Sequence, residues 1–175
     1  MAPSIEALLN PIPSDEKYCD RISHRKTKLP ITIVEPDPSW PSTFTAFKQK
    51  TEGALGSTAL SIQHVGSTSV PNLPAKALID IDLIVKDITD EASYAPALEV
   101  AGFQFLLREP EWYEHRLFCA YEPMPANLHV WPVDSPEAEM RAVHASDHLV
   151  SAPHFTKPLR AETSHAYLET AELRR

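Results

Sequence analysis

The sequence predicts an α/β (α+β) fold, in which helices pack against a mixed β-sheet. One observation is a helical period of core-type residues over 42–55, and a second is the apolar, β-branched segment at 77–85. A third is the order of the other segments, in which helical and extended patterns follow one another. Segments in such an order bury their apolar sides most simply as layers around one core.

The first regular segment lies at 31–34, where Ile-Thr-Ile-Val predicts a short edge or lead-in strand. A proline-rich turn follows. Ser42 has the residue type of a helix N-cap, and Gly56 is typical of a helix end. Between them lie core-type positions near helical spacing, which are Phe44, Phe47, Thr51 and Leu55. We therefore expect a helix from Ser42 to Leu55.

The remaining elements are predicted from apolar alternation and from glycine and proline signals. In chain order they are strands at 59–65 and 77–85, a helix at 91–101, strands at 103–107, 115–121 and 126–131, and helices at 135–150 and 156–173. Gly102 ends the first of these helices. Pro136 opens the second at a position where its missing N–H costs no hydrogen bond. The strands joined by 122–125 are expected to be antiparallel.

The chain has 175 residues and a mass of 19.5 kDa, which suits one ordinary domain with or without an additional arm. Residues 1–30 show no alternating apolar pattern and carry a basic group between Arg21 and Lys28. They are either a solvated N-terminal arm or a segment that contacts an anionic ligand or folds over the site. Residues 31–175 are expected to form the folded domain.

Charge and composition argue against several classes of protein. The formal net charge is -8 at pH 7, whereas a general nucleic-acid binder needs basic residues for its phosphate contacts. No apolar run approaches the roughly 20 residues that cross a bilayer, and no secretory signal is visible at the start. Cys19 and Cys119 show no CxxC or zinc-ligand spacing, so we expect a reduced, cytoplasmic protein without structural zinc. No feature specifies an oligomeric state.

Two aspartates interrupt the most apolar strand of the chain. Asp80 and Asp82 are expected to share one face of that strand, while the apolar residues around them share the other. Neighbouring carboxylates repel each other, and burial raises the pKa of at least one of them. A divalent cation removes this cost, and Mg²⁺ favours one or two carboxylates with substrate phosphates. The alternatives are two solvated aspartates at a strand end, or pairing with lysine or arginine.

Glycine is scarce in this chain, which has 17 prolines and only 4 glycines. Three of the glycines lie near predicted helix ends, whereas Gly66 follows a predicted strand and precedes Ser67 and Thr68. A glycine there lets the backbone turn tightly, so that the following amides and hydroxyls can hold phosphate oxygens. A plain turn is the simpler interpretation of so short a motif. Its position one strand before the aspartate pair favours phosphate binding.

Both motifs belong to one run, HVGSTSVPNLPAKALIDIDLIV at 64–85, which resembles the signature of the GrpB-like family. The resemblance continues from 34–40 to 127–130 and Asp147, and covers about residues 31–170. This family belongs to the nucleotidyltransferase (polymerase beta-like) superfamily. The resemblance therefore implies a nucleotidyltransferase-like fold, a phosphate turn at Gly66 and Ser67, and metal ligands at Asp80 and Asp82.

The resemblance also implies Mg²⁺ (or Mn²⁺) and a nucleoside triphosphate as cofactors, with a small molecule as acceptor. The sequence departs from the superfamily pattern at His129, where a third carboxylate is expected. A neutral imidazole there can ligate a metal, act as a general base, or simply form a hydrogen bond at a strand end. Asn127 and Asn72 replace a more usual histidine and glycine, and Ser146 and Val150 replace two arginines. The loss of the arginines argues against ordinary triphosphate binding.

Further candidates take roles that this family context suggests. His64 precedes the glycine turn and either directs a ring nitrogen into the site or is a core histidine. Thr68 extends the phosphate turn. Lys76 either neutralises a phosphate or is a surface lysine. Arg116 is expected on a strand that faces the aspartate pair, where it binds a substrate carboxylate or phosphate, or else pairs with the aspartates themselves.

Three functions fit these observations. The first, which we favour, is a metal-dependent nucleotidyltransferase that acts on a small-molecule acceptor, with Asp80, Asp82 and His129 as catalytic residues. The second is a nucleotide-independent reaction on an amino-acid-like or carboxylate substrate, in which the same residues and Arg116 perform acid–base chemistry, because a fold does not fix a function. The third is a non-catalytic ligand-binding module.

Overall fold

The structure is a computed structural model and describes residues 19–29, 32–135 and 138. The strands in this part of the chain are β1 (Asp20–Arg21), β2 (Ile33–Val34), β3 (Ala59–Val65), β4 (Ala75–Lys76), β5 (Ile79–Val85), β6 (Gln104–Glu109), β7 (His115–Ala120) and β8 (Ala126–Pro132). The α-helices are α1 (Trp40–Leu55) and α2 (Ala95–Val100), and 3₁₀ turns lie at Gly56–Thr58, Ser67–Ser69 and Glu91–Ser93.

The larger sheet has six strands in the order β1-β6-β7-β8-β5-β3. β5 and β8 run parallel, and the other neighbouring pairs in this sheet are antiparallel. β2 and β4 form a separate antiparallel pair. α1 and α2 share one apolar core with the larger sheet, so the predicted α+β fold with a mixed sheet is confirmed.

The core lies between the helices and one face of the sheet. Its fully buried members include Ile79, Ile81, Leu83 and Val85 of β5, Leu128 and Val130 of β8, Phe47 of α1 and Leu98 of α2. Burying a side chain of this size contributes about 1.5–3 kcal/mol. The alternate residues of β5 and β8 project from the opposite face, where Asp80 lies beside Asn127, and Asp82 beside His129. We call this opposite face the polar face.

The helix α1 begins at Trp40, slightly earlier than the predicted start. Ser39 stands at the N-cap, and its N–H donates to Asp37 Oδ1 at 2.7 Å. Ser42 therefore lies in the first turn, where its hydroxyl donates to Ser39 O at 2.7 Å, and its predicted capping role is wrong. Pro41 permits the early start, because its fixed φ suits the first turn. Gly56 ends the helix as predicted, with φ 53°.

The helix predicted over 91–101 is divided into a 3₁₀ turn at Glu91–Ser93 and the helix α2. Tyr94 lies between them with φ -136°, and its hydroxyl donates to Ile88 O at 2.7 Å. Pro96 has no N–H with which to continue an α-helical ladder from the preceding turn. The α-helix therefore begins anew beside this proline.

The strand predicted over 77–85 is shorter than expected. Leu78 N donates to Lys76 O at 2.8 Å, and this tight turn separates β4 from β5. The strands predicted at 59–65, 103–107, 115–121 and 126–131 correspond to β3, β6, β7 and β8. The helices predicted at 135–150 and 156–173 lie outside the described residues, apart from Ser135 and the helical Ala138.

Part of the N-terminal arm lies on the edge of the sheet. β1 pairs with β6, and the N–H groups of Ile22 and Ser23 both donate to Leu106 O, at 2.9 and 3.1 Å. This segment covers backbone groups of β6 that would otherwise be unpaired. Residues 1–18 of the arm lie outside the described part. Among the described helices, none is long and apolar enough to cross a membrane.

Candidate active site

The two aspartates share the polar face, as their spacing predicts. Asp80 accepts a hydrogen bond from Asn127 Nδ2 at 2.8 Å, and its side chain is 22% exposed. Asp82 is only 3% exposed and accepts a hydrogen bond from Trp131 Nε1 at 3.1 Å. Both carboxylates therefore receive neutral donors from β8, which offsets part of the cost of burying their charge.

The glycine turn lies directly against Asp80. Gly66 follows β3 with φ 72° and ψ -173°, a conformation that is essentially restricted to glycine. A Cβ atom placed on Gly66 would lie 2.6 Å from Asp80 Oδ2, so the close approach also requires glycine. The adjacent Ser67 is exposed and begins the 3₁₀ turn. A bare stretch of backbone thus adjoins a carboxylate on the polar face.

His64 forms a short hydrogen-bond chain beneath this turn. The Thr68 hydroxyl donates to Leu78 O at 3.0 Å, so its oxygen accepts from His64 Nε2 at 3.1 Å. Phe44 stacks on the imidazole with ring centroids 4.8 Å apart. Burial lowers the pKa of His64 to about 4, although the charge of Asp80 acts in the opposite direction. The imidazole is therefore neutral at pH 7 and carries its proton on Nε2.

His129 stands at the end of a second chain of hydrogen bonds. Glu109 Oε2 lies 2.7 Å from His115 Nδ1, and His115 Nε2 lies 3.0 Å from His129 Nδ1. His129 Nε2 lies 3.7 Å from Asp80 Oδ1. A carboxylate that accepts from one ring nitrogen fixes the tautomer and the orientation of the imidazole. The hydrogen-bonded chain from Glu109 to His129 can therefore hold and pass protons along the polar face, and it ends 3.7 Å from Asp80 Oδ1, beyond hydrogen-bond distance.

Aromatic rings enclose this chain on one side. Trp131 and His115 have ring centroids 4.2 Å apart, and Trp112 contacts both rings edge-on at 5.1 and 4.9 Å. Trp131 and His115 are almost completely buried. Such an apolar wall lowers the local dielectric, which strengthens the hydrogen bonds within the chain.

Arg116 does not face the aspartate pair, so that prediction is wrong. It pairs with Val130 in register and projects toward the helix-covered side of the sheet. Its Nε donates to Glu91 Oε1 at 2.7 Å, and its Nη1 donates to Glu114 O at 2.5 Å. An arginine residue that is only 5% exposed requires such acceptors for its guanidinium. These carboxylate and carbonyl contacts explain its position without any ligand.

Two other candidates lie between the glycine turn and β5. Asn72 has φ 62°, so it adopts the left-handed conformation that the more usual glycine would take. Lys76 is half-buried on β4 and pairs in register with Ile33 of β2. Asp147, Ser146 and Val150 lie outside the described residues.

Three residues of the site were not identified from the sequence. Neighbouring residues of a strand project to opposite faces, so only one of His115 and Arg116 can reach the polar face. This alternation could have identified His115. Glu109 reaches the polar face only because β6 and β7 pair in a register that places Glu109 opposite His115. Arg25 belongs to the arm, and its Nη2 donates to Asn127 Oδ1 at 2.5 Å.

The carboxylate oxygens of Asp80 and Asp82 are too few to hold a metal ion unless a bound ligand supplies further oxygens. In the segments 19–29 and 32–135 and at 138, no group of three or more His, Cys, Asp and Glu side chains is arranged to hold a metal. Asp80 and Asp82 offer carboxylate oxygens on one face, and Mg²⁺ is commonly bound by such a pair together with substrate phosphates.

The chain is similar to several known proteins. It is 45% identical to the UPF0157 protein BH1888 of Halalkalibacterium halodurans over 109 residues, which are 62% of this chain and 55% of that protein. It is 34% identical to the UPF0157 protein PA4798 of Pseudomonas aeruginosa over 142 residues, 78% of this chain and 56% of that protein. A protein of Mycolicibacterium paratuberculosis named dephospho-CoA kinase is 29% identical over 66% of this chain and 36% of that protein. The chain thus spans about half the length, or less, of these curated relatives.

A solved structure and a family model agree with these relatives. The crystal structure of the conserved protein GrpB from Enterococcus faecalis has a TM-score of 0.55 and 23% identity, and the match covers 66% of this chain and 73% of that one. This likeness supports the fold alone. The model of the family described as GrpB protein matches residues 30–160, which is more than half of the chain. The chain therefore belongs to the GrpB family.

Proposed function

We propose that the polar face binds a nucleoside triphosphate with Mg²⁺ (or Mn²⁺) and transfers its nucleotidyl group to a small-molecule acceptor. The observation that carries this proposal is the position of Asp80 between two other groups. Asp80 Oδ2 lies close to the bare backbone of Gly66, and its Oδ1 lies 3.7 Å from His129 Nε2. A metal ligand, a phosphate turn and a base therefore adjoin one another. The resemblance to the nucleotidyltransferase superfamily supports the same proposal.

The binding roles follow from the hydrogen bonds around the turn. Asp80 and Asp82 would hold the ion, which when bound neutralises phosphate charge. The backbone at Gly66 and the exposed hydroxyl of Ser67 would receive phosphate oxygens. The hydroxyl of Thr68 already donates to Leu78 O, so this residue shapes the turn. His64 is neutral at pH 7 and supports the turn without adding charge.

His129 would act as the general base. With Nδ1–H donated to His115 Nε2, and with His115 Nδ1–H donated to Glu109, the basic lone pair of His129 is on Nε2. The acceptor hydroxyl gives its proton to Nε2 while its oxygen forms a bond to the α-phosphorus. The bond from that phosphorus to the leaving oxygen breaks, and pyrophosphate departs with its electron pair. Glu109 stabilises the positive charge that develops on the two rings.

The relatives suggest one acceptor to test. A segment like this chain occurs within proteins named dephospho-CoA kinase, in matches that cover 23–36% of those proteins. Dephospho-CoA is therefore a reasonable nucleotide-bearing small molecule to include among acceptors. The identity over the shared segment is 29–34%, so other acceptors belong in the same screen.

Titration calorimetry with ATP, CTP, GTP and UTP tests the proposal, with Mg²⁺, Mn²⁺ or a chelator present. We expect metal-dependent binding of at least one nucleotide, weakened about tenfold or more by Asp80→Asn. Asp90→Asn, a change at an exposed acid between β5 and α2, is the matched control and should leave binding unchanged. Pyrophosphate release with an acceptor should fall about a hundredfold or more in His129→Gln, with nucleotide binding retained. The proposal fails if the wild type binds neither metal nor nucleotide, or if Asp80→Asn keeps full activity.

A second candidate is acid–base chemistry without a nucleotide on an amino-acid-like or carboxylate substrate. The observation that favours it is the relay from Glu109 through His115 to His129, where the superfamily pattern has a third carboxylate. Such a relay serves proton transfer in any reaction. Turnover of a carboxylate substrate in the presence of a chelator and without nucleotide would support this candidate. Binding without turnover in either screen would instead identify a ligand-binding module.

A further inference from the structure

An arginine of the N-terminal arm reaches the polar face. Arg25 Nη2 donates to Asn127 Oδ1 at 2.5 Å, and Asn127 Nδ2 donates to Asp80 Oδ1 at 2.8 Å. The amide of Asn127 thus bridges a cation and a carboxylate, with its oxygen toward the donor and its NH₂ toward the acceptor. Arg25 precedes the family-matched segment, which begins at residue 30. A residue outside that segment therefore contributes to the site.

The backbone on both sides of Arg25 is held in place. Gln104 Nε2 donates to His24 O at 2.7 Å, and Lys26 N donates to Tyr121 Oη at 2.7 Å. The Tyr121 hydroxyl donates in turn to Gln104 Oε1 at 2.9 Å, which joins the two anchors. Since the preceding and following residues are both bound to the sheet, the position of Arg25 is set by the fold.

Among the described residues, the guanidinium of Arg25 has no carboxylate partner of the kind that Arg108 and Arg116 have. Arg108 and Arg116 both donate to the carboxylate of Glu91. Arg25 donates to a neutral amide, and its Nη1 is buried without an acceptor among the described residues. A buried cationic donor without an acceptor is unfavourable, and the planar guanidinium matches the oxygens of phosphate and carboxylate groups.

We propose that Arg25 binds an oxyanion of the ligand, a phosphate or carboxylate group whose reacting end lies near Asp80. The arm would thereby complete the site and determine which anionic ligands it accepts. Asn127, which stands where the family more often has histidine, would couple this oxyanion site to Asp80. The inference rests on the proposed function only in placing the ligand on the polar face.

Binding of simple anions to the full chain tests this inference. The probes are inorganic phosphate, pyrophosphate and succinate, measured by calorimetry and by NMR shifts of the Asn127 side-chain amide. We expect the wild type to bind at least one probe, and Arg25→Gln to weaken its Kd about tenfold or more. Arg21→Gln is the matched control, because Arg21 is an exposed arginine of the same arm, and its Kd should equal that of the wild type. Preference for the phosphates or for succinate identifies the source of the oxyanion.

Hydrogen exchange separates ligand binding from docking of the arm. The amides of Ser23 and Lys26 donate to Leu106 O and Tyr121 Oη, so their protection reports whether the arm stays in place. We expect protection in Arg25→Gln to match the wild type. If this protection is lost in Arg25→Gln, Arg25→Lys becomes the deciding variant. Arg25→Lys should keep the protection of the Ser23 and Lys26 amides and should bind the probe more weakly than the wild type.

Several outcomes would overturn the inference. The first is that no probe binds to the wild type, and the second is that Arg25→Gln binds the probe as tightly as the wild type does. Where Arg25→Lys is the deciding variant, the third is that its Kd equals that of the wild type. If metal-dependent nucleotide binding persists with such a result, only the inference about Arg25 fails. If anion binding depends on Arg25 but no nucleotide binds, only the proposed nucleotidyl transfer fails.

Discussion

Replacing Gly66 with alanine tests the geometry of the proposed phosphate turn. The residue has φ 72° and ψ -173°, and holding a non-glycine residue in that region costs about 1–3 kcal/mol. The new methyl group would also meet Asp80 Oδ2 at 2.6 Å, so the carboxylate must move. Displacing it weakens the hydrogen bond from Asn127, a charged-group bond of about 1.5–3 kcal/mol. We therefore expect Gly66→Ala to destabilise the protein by roughly 2–5 kcal/mol.

Urea unfolding measures this loss as a lower midpoint at an unchanged slope. Gly53→Ala is the matched control, because Gly53 lies within α1 and its added Cβ would meet no atom within 4 Å. It should stabilise the protein by about 0.5–1 kcal/mol, the usual gain from alanine inside a helix. The two alanine substitutions should thus act in opposite directions.

A double-mutant cycle separates the two causes. Asp80→Ala in the Gly66→Ala background removes the 2.6 Å contact with Oδ2. It leaves the backbone strain and a 3.1 Å contact with the Cβ atom of residue 80. The coupling free energy should therefore be about 1 kcal/mol or more, the usual size for residues in contact. The reasoning is refuted if Gly66→Ala costs less than about 1 kcal/mol, below the range for such a conformation. The close approach is refuted if the cycle shows no coupling.

Three further predictions concern other parts of the fold. The low pKa of His64, about 4, means that this residue takes up a proton on unfolding between pH 6.5 and 4. The free energy of unfolding should therefore fall as the pH decreases through this interval, by about 1–2 kcal/mol after allowance for the partial exposure of the ring. Urea titrations at several pH values should show that His64→Gln lacks this contribution. Arg116→Met should cost about 3 kcal/mol in urea unfolding, at the low end for a buried ion pair because Glu91 retains Arg108. Trp131→Phe removes the donor to Asp82 and should cost about 1–3 kcal/mol by the same measurement.

Controls for these predictions come from the same chain. Lys48→Met breaks an exposed pair with Glu52 at 3.9 Å and should cost about 0.5 kcal/mol or less. If Arg116→Met costs no more than this, the buried pair is not stabilising. Trp131→Phe should cost less in an Asp82→Ala background, which has no side-chain acceptor for the indole N–H, and equal costs would contradict this hydrogen bond. An identical pH dependence in His64→Gln and wild type would contradict the low pKa of His64.

Local spacing predicted the part of the site that lies on β5. Because side chains alternate along a strand, Asp80 and Asp82 had to share a face once that strand was recognised. The scarcity of glycine likewise identified Gly66, and its positive φ agrees with that reasoning. The same alternation holds in β7, where it requires His115 and Arg116 to project to opposite faces.

The chain from Glu109 to His129 was beyond local reasoning. It depends on the register of β6 with β7 and of β7 with β8, and these pairings follow from packing across the whole sheet. A shift of one residue in either pairing would move its side chains to the other face. The residues of a single six-residue strand such as β6 or β7 do not indicate which residue of the neighbouring strand lies opposite each of them.

The sequence by itself determined the α+β class, the family, the glycine turn and the shared face of the aspartates. Each of these depends on local conformational preference or on the period of side chains within one segment. Only the tertiary structure decided that Arg116 pairs with Glu91, that Glu109 and His115 support His129, and that Arg25 reaches Asn127. Those contacts join residues up to 102 positions apart in the chain, and long-range packing rather than local preference brings them together.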